Sequence, residues 1–228
     1  MGTNGSWTTT PPTAKNPGNW NIYYYMDETA NYNGKYSSSR PDSVPAAITN
    51  THNNYELVDL GLPSDTKWAS MNVGATAPEE YGNYYKWGLG SSTFDTSQTP
   101  YNLDSGNLPN SVDTARQCWG GEWHMPTKDQ IKELCNIGNT TKTYTTLNGV
   151  YVVKFTSKYN SNYIYIPFAG EYWSDGTFNN STYVATIWSK TADGSSNAHT
   201  IDCTRLNSTT STSSENKNYG LSVRPVIG

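Results

Sequence analysis

The chain has 228 residues, 34% of them hydrophobic, with a formal net charge of -4 and a sequence pI near 5.3. A chain of this length buries roughly 70% of its unfolded surface and can build one sizeable core without crosslinks. Its acidity argues against the basic face that a nucleic-acid binder carries. It has no run of about 18 apolar residues that would read as a membrane-spanning helix, so direct membrane insertion is not expected.

The aromatic content is unusual: 18 Tyr and 8 Trp stand against 4 Phe, with only 15% charged residues. Tyr and Trp combine apolar area with a polar handle, as ligand-recognition surfaces do. A loop-rich secreted β protein fits the same composition. Cys118, Cys135 and Cys203 are odd in number and form no CxxC pattern, and His52, His124 and His199 are scattered. No metal, cofactor or His-based catalytic set is therefore expected. No signal peptide opens the chain, and Met1-Gly2 ahead of polar sequence is read as an appended start.

In chain order, residues 1–18 are Thr-, Pro-, Gly- and Asn-rich and read as an extended linker. Trp20, Ile22 and Tyr24 alternate as in a half-buried strand, and the stretch from Asp27 to Gly34 reads as a turn. Asn19, Trp20 and the following "IYYYMDETANYNG" resemble the last part of a bacterial immunoglobulin-like repeat. Residues 1–54 are accordingly read as linker plus partial immunoglobulin-like segment, cut from a longer chain. The main domain is placed at 55–228. It opens with a strand at Leu57–Leu60 and a second, Lys67 to Val73, with Ala69, Met71 and Val73 on its apolar face. A helical turn at Pro78–Gly82 and a strand at Tyr84–Gly88 follow.

Two helices are predicted. Thr127-Lys128-Asp129-Gln130 spells a capping box that opens a helix at 127–136, with Ile131, Leu134 and Cys135 on one face and Gly138 as the stop. A shorter helix is placed at Val112–Gln117. Beyond Gly149 the signals are all β: Val150–Phe155, Tyr163–Pro167, and short strands near Thr186–Ser189, His199–Leu206 and Leu221–Val226.

Five blocks, "YELVDLGLPSDTKWASMNVGATAPEEYGNYYKWG", "WGGEWHMPTKDQIKELC", "IYIPFAGEYWSDGT", "ATIWSK" and "YGLSVRPV", occur in this order. Together they resemble the Fibrobacter succinogenes-type major paralogous domain of bacterial surface proteins, found in gut Bacteroidetes and their relatives. That family is similar in fold to C-type lectins and to the formylglycine-generating enzyme. The resemblance implies an α+β, C-type-lectin-like fold of twisted antiparallel sheets, two helices and long loops. It places the ligand face in the C-terminal strands. Trp68, Trp87, Trp119, Trp123 and Trp188 read as core, and Arg224 as a structural arginine holding a carboxylate or carbonyls. Gly120-Gly121 permits a tight path before Trp123.

The window 177–218 contains 8 Ser, 9 Thr and 6 Asn, together 23 of 42 residues, so it cannot fill a core. It is either disordered or a solvated surface; Ala198, Ile201, Cys203 and Leu206 as apolar anchors favour the surface. In some proteins that the chain resembles, a retroelement mutates template adenines in this region. Asn codons then yield many residues but never Lys, Glu, Gln, Met or Trp. Only Trp188, Lys190, Glu215 and Lys217 in the window fall outside that set.

The expected ligand-binding residues are Tyr183, Thr186, Thr191, Asp193, Ser195, His199, Thr200, Asp202, Thr204 and Asn207. The expected partner is a protein or glycan on a target cell surface, met by a receptor-binding or adhesin protein on a cell surface, secreted, or on a phage virion. A non-diversified surface protein of the same fold is the alternative. A formylglycine-generating oxidase needs a close Cys pair, and Cys203 has no sequence neighbour of that kind. The calcium-lectin triplets Glu-Pro-Asn, Gln-Pro-Asp and Trp-Asn-Asp are absent, and no motif nominates a glycosidase-like carboxylate pair. No enzymatic activity is expected.

Overall fold

The structure, a computed structural model, describes residues 50–179, 182–205 and 209–228. The predicted linker, the Trp20–Tyr24 strand and the immunoglobulin-like stretch lie outside the described residues, as do Leu206 and Asn207.

The first sheet joins the two ends of the described domain. Strands β1 (Asn50–His52), β2 (Tyr55–Asp59), β3 (Lys67–Ala69) and, from the C-terminus, β12 (Val226–Ile227) pair antiparallel in the order β1-β2-β3-β12. Asn53 and Asn54, both at positive φ, make the two-residue turn between β1 and β2. The sheet thus takes in residues five positions upstream of the expected start at Tyr55. β3 is shorter than the alternation predicts. The pattern assumes a solvent face, but Trp68, Ala69, Asn72 and Val73 are all buried. Past Ala69 the chain turns to wrap Arg224, whose guanidinium donates to Asn72 Oδ1 (2.8 Å), Ala69 O (3.0 Å) and Tyr165 O (2.8 Å).

Helix α1 (Thr114–Trp119) starts two residues later than expected because Asp113 is its N-cap, accepting from Arg116 N. Helix α2 (Lys128–Cys135) has Thr127 as N-cap with both halves of the capping box formed, and it buries Ile131 and Leu134. With its caps it spans the predicted 127–136, ending at Asn136 two residues short of the stop at Gly138. The reason is a side-chain cap: Asn139 Nδ2, Thr140 Oγ1 and Lys142 Nζ donate to the carbonyls of Glu133, Leu134 and Cys135. Carbonyls satisfied this way need no left-handed glycine.

Strands β4 (Thr140–Leu147), β5 (Val150–Ser157) and β6 (Tyr163–Pro167) form a meander. β5 and β6 match expectation. β4 was not predicted, because its Thr-rich sequence turns mostly outward; the Asn148-Gly149 turn, both residues at positive φ, is the signal that marks it. A two-stranded ribbon, β7 (Glu171–Tyr172) and β8 (Phe178–Asn179), precedes the last sheet. That sheet consists of β9 (Val184–Asp193), β10 (Asn197–Thr204) and β11 (Thr209–Asn216), in the order β11-β10-β9.

The core has two parts, and the last sheet lies between them. Trp188, Ala192 and Ala198 belong to one with Trp87, Trp119, Trp123 and Leu221. Ala185, Ile187, Ile201 and Cys203 belong to the other with Trp68, Phe155 and the α2 residues Ile131 and Leu134. All five tryptophans read as core are buried. The architecture is broadly α+β: mostly antiparallel sheets with two short helices.

Candidate binding surface

Strand periodicity divides the predicted residues between two faces. Along β10, Ala198, Thr200, Asp202 and Thr204 share one face, while His199, Ile201 and Cys203 share the other. Two expected ligand contacts are not displayed: Thr186 is 3% and Thr200 0% exposed. β9 is an interior strand, since the segment at Ser222 runs along its free edge with Trp188 N donating to Ser222 O. Thr186 therefore has neighbours on both sides. Thr200 lies directly opposite Trp188 on the face that joins the core. Polar identity predicted exposure here, and strand position overrode it.

The remaining described residues fall into four places. Tyr183 is 41% exposed, with the Arg205 guanidinium 5.1 Å from its ring and 3.8 Å from the ring of Tyr151. Ser195 is exposed in the β9–β10 turn.

Thr191, Asp193 and His199 line a cleft of about 500 Å³ with Asp104, Asn107, Lys128 and Asp129. Thr191 Oγ1 accepts from Lys128 N (3.1 Å) and lies 2.6 Å from Asn107 Oδ1; His199 Nε2 is 3.8 Å from Asp193 Oδ1. Residues 104–108 run beside β9, with Ala192 N donating to Gly106 O and Leu108 N to Lys190 O. Sequence reasoning missed this wall. The run Asp104-Ser105-Gly106-Asn107 reads only as a turn, and nothing local says which strand it joins.

Asp202 and Thr204 occupy the other face, where Thr204 Oγ1 donates to Asp202 Oδ1 at 3.2 Å. Glu215 of β11 and Glu171 of β7 complete this group. Burial, then Glu171, then Asp202 push the Glu215 carboxyl up to about 7. Burial also raises Asp202, against the Thr204 hydroxyl. Neither glutamate was predicted, because the two are 44 residues apart and only the chain reversal after β11 brings them close.

A pH dependence follows. The folded state binds the Glu215 proton more tightly than an unfolded chain, whose Glu titrates near 4.5. Its contribution to stability is full below that value and is lost as pH rises through about 7. The melting temperature is expected to fall between about pH 5 and about pH 8 more steeply in the native sequence than in Glu215→Gln. Parallel pH profiles for the two proteins would contradict this.

Three of the four window residues outside the adenine-mutagenesis set are committed to structure. Trp188 Nε1 donates to Tyr85 O (2.8 Å), and Lys190 Nζ pairs with buried Asp113 (3.1 Å). Lys217 Nζ donates to Leu103 O and Gly194 O, both at 2.7 Å. Glu215 is the half-buried acid just described. Among the described residues no group of three or more His, Cys, Asp and Glu is placed to hold a metal ion. Comparison of the chain with protein-family models, curated proteins and solved structures finds no match.

Proposed function

We propose that this chain is a non-enzymatic binding protein whose C-terminal domain is C-type-lectin-like and presents the β9–β11 sheet, with its turn and cleft, to a protein or glycan ligand on a target surface. The observation that carries the reading is the division within the window 177–218. Trp188, Lys190 and Lys217, which adenine mutagenesis of Asn codons cannot produce, hold the scaffold, and Tyr183, Asp193, Ser195, His199, Asp202 and Thr204 are at least partly open to solvent. That is the arrangement expected of a surface that varies on a constant frame, displayed by a cell or a phage particle. The binding reading also agrees with the thiols. Burial raises Cys118 and pushes Cys135 up to about 12, and a thiol is a nucleophile only as thiolate.

The test is genomic. The coding region is expected to lie beside a reverse-transcriptase gene and a near-copy of its own 3′ end. Adenines in that copy should align with the codons of the exposed positions and leave those of Trp188, Lys190, Glu215 and Lys217 untouched. A flanking region with no such copy would remove the diversified reading and leave a constant binding surface of the same design.

A further inference from the structure

Glu171 and Asp202 both act on the half-buried Glu215 carboxylate, yet none of the three has a basic side chain in ion-pair contact among the described residues. Half-buried carboxylates are ordinarily paired or hydrogen-bonded. Glu171 has partial compensation: its Oε1 accepts from Trp173 Nε1 (3.1 Å) and Asn179 Nδ2 (3.5 Å).

Between Asp202 and Glu215 lies a second, independent anomaly. Thr200 is fully buried and its hydroxyl has no hydrogen-bond partner among the described residues. The register fixes where it sits. Thr200 is two residues from Asp202 on β10, and it pairs with Ser213, which is two residues from Glu215 on β11. Directly opposed and i, i+2 residues share a sheet face, so the Thr200 hydroxyl belongs to the same face as both carboxylates and stands between them. The Trp173 ring, tethered to Glu171 by its N–H, remains 40% exposed at the edge of the group.

We propose that this face, flanked by Asp202, Glu215 and Glu171 and floored by Thr200, is the seat of a cationic side chain, a guanidinium or ammonium group presented by a protein ligand. The proposal rests on the binding reading above and assigns the chemistry of one anchor within it. A guanidinium has donors on opposite edges that satisfy separate carboxylates, and a face that stacks on an indole. The Thr200 oxygen supplies a further acceptor. An anion is repelled here.

The test titrates the full chain with N-acetyl-argininamide and with its neutral citrulline analogue, followed by amide chemical shifts and calorimetry. Argininamide is expected to bind with shifts centred on β10, β11 and the β7–β8 ribbon, and citrulline is expected not to bind. Asp202→Asn and Glu215→Gln keep side-chain shape and should each weaken argininamide by about tenfold, the loss of one charge-assisted contact. Thr200→Val should also weaken it without lowering the melting temperature of the free protein. Equal binding of the citrulline analogue overturns the proposal. So does affinity unchanged in both carboxylate variants, or shifts centred instead on the cleft at Asp104 and Asp129. None of these outcomes touches the genomic test, so the cation seat and the binding reading fail separately.

Discussion

Asp113→Ala is expected to destabilise the domain by about 3–5 kcal/mol, the usual cost of removing one partner from a buried ion pair. Asp113 is fully buried, and its carboxylate makes contacts in three directions. Oδ1 accepts from Arg116 N at 3.1 Å and caps α1; both oxygens accept from Met125 N, at 3.0 and 3.1 Å; Oδ2 pairs with Lys190 Nζ at 3.1 Å. The substitution therefore uncaps a helix, orphans a buried amide and strands the Lys190 ammonium, which is itself buried. For a domain of this size the melting temperature should drop by roughly 6–20 °C. Adding Lys190→Met should recover part of the loss, because the stranded charge disappears while the amides stay unsatisfied. A chemical-denaturation series on the two single variants and the double variant checks this. A loss below about 1 kcal/mol for Asp113→Ala would mean the pair behaves like a surface one.

Trp188→Ala is expected to cost about 3–5 kcal/mol, and Ile201→Ala about 2–5 kcal/mol. Both side chains are buried, on opposite faces of the β9–β11 sheet, and the Trp188 indole also donates to Tyr85 O at 2.8 Å. Changing Thr191, Asp193, Ser195, His199 and Thr204 together should by contrast move stability little, since partly exposed substitutions away from caps and networks typically stay within about 0.5 kcal/mol each. Thr191 is the member that tests the limit, because its hydroxyl accepts from Lys128 N at the start of α2. Thr186 and Thr200 belong with the anchors, being buried. Thermal melts of the three variants separate an ordered display surface from a solvated tail. Similar melting temperatures for Trp188→Ala and the polar set would sink the display reading.

Local chemistry made much of the scaffold readable. Thr127 and Gln130 announce the start of α2 because both halves of the capping box lie within four residues. Val150–Phe155 and Tyr163–Pro167 announce strands through β-branched and aromatic density. The tryptophans announce the core through size and apolar area. The Ser, Thr and Asn content of the window 177–218 predicts a surface, yet β9 and β10 supply Ala185, Ile187, Trp188, Ala192, Ala198, Ile201 and Cys203 to the two parts of the core. What could not be read was exposure residue by residue. A threonine on an exposed face and one beneath a tryptophan look alike in a chain, and Thr200 became buried only when β10 paired it with Trp188. Glu171 and Glu215 gain their shared chemistry from a chain reversal, and Asp104 joins His199 only because residues 104–108 lie along β9. Helix caps and hydrophobic period depend on neighbours a few bonds away and were written in the sequence. The carboxylate group and the cleft depend on which strands meet across the sheet, and that was settled only by how the two parts of the core packed around it.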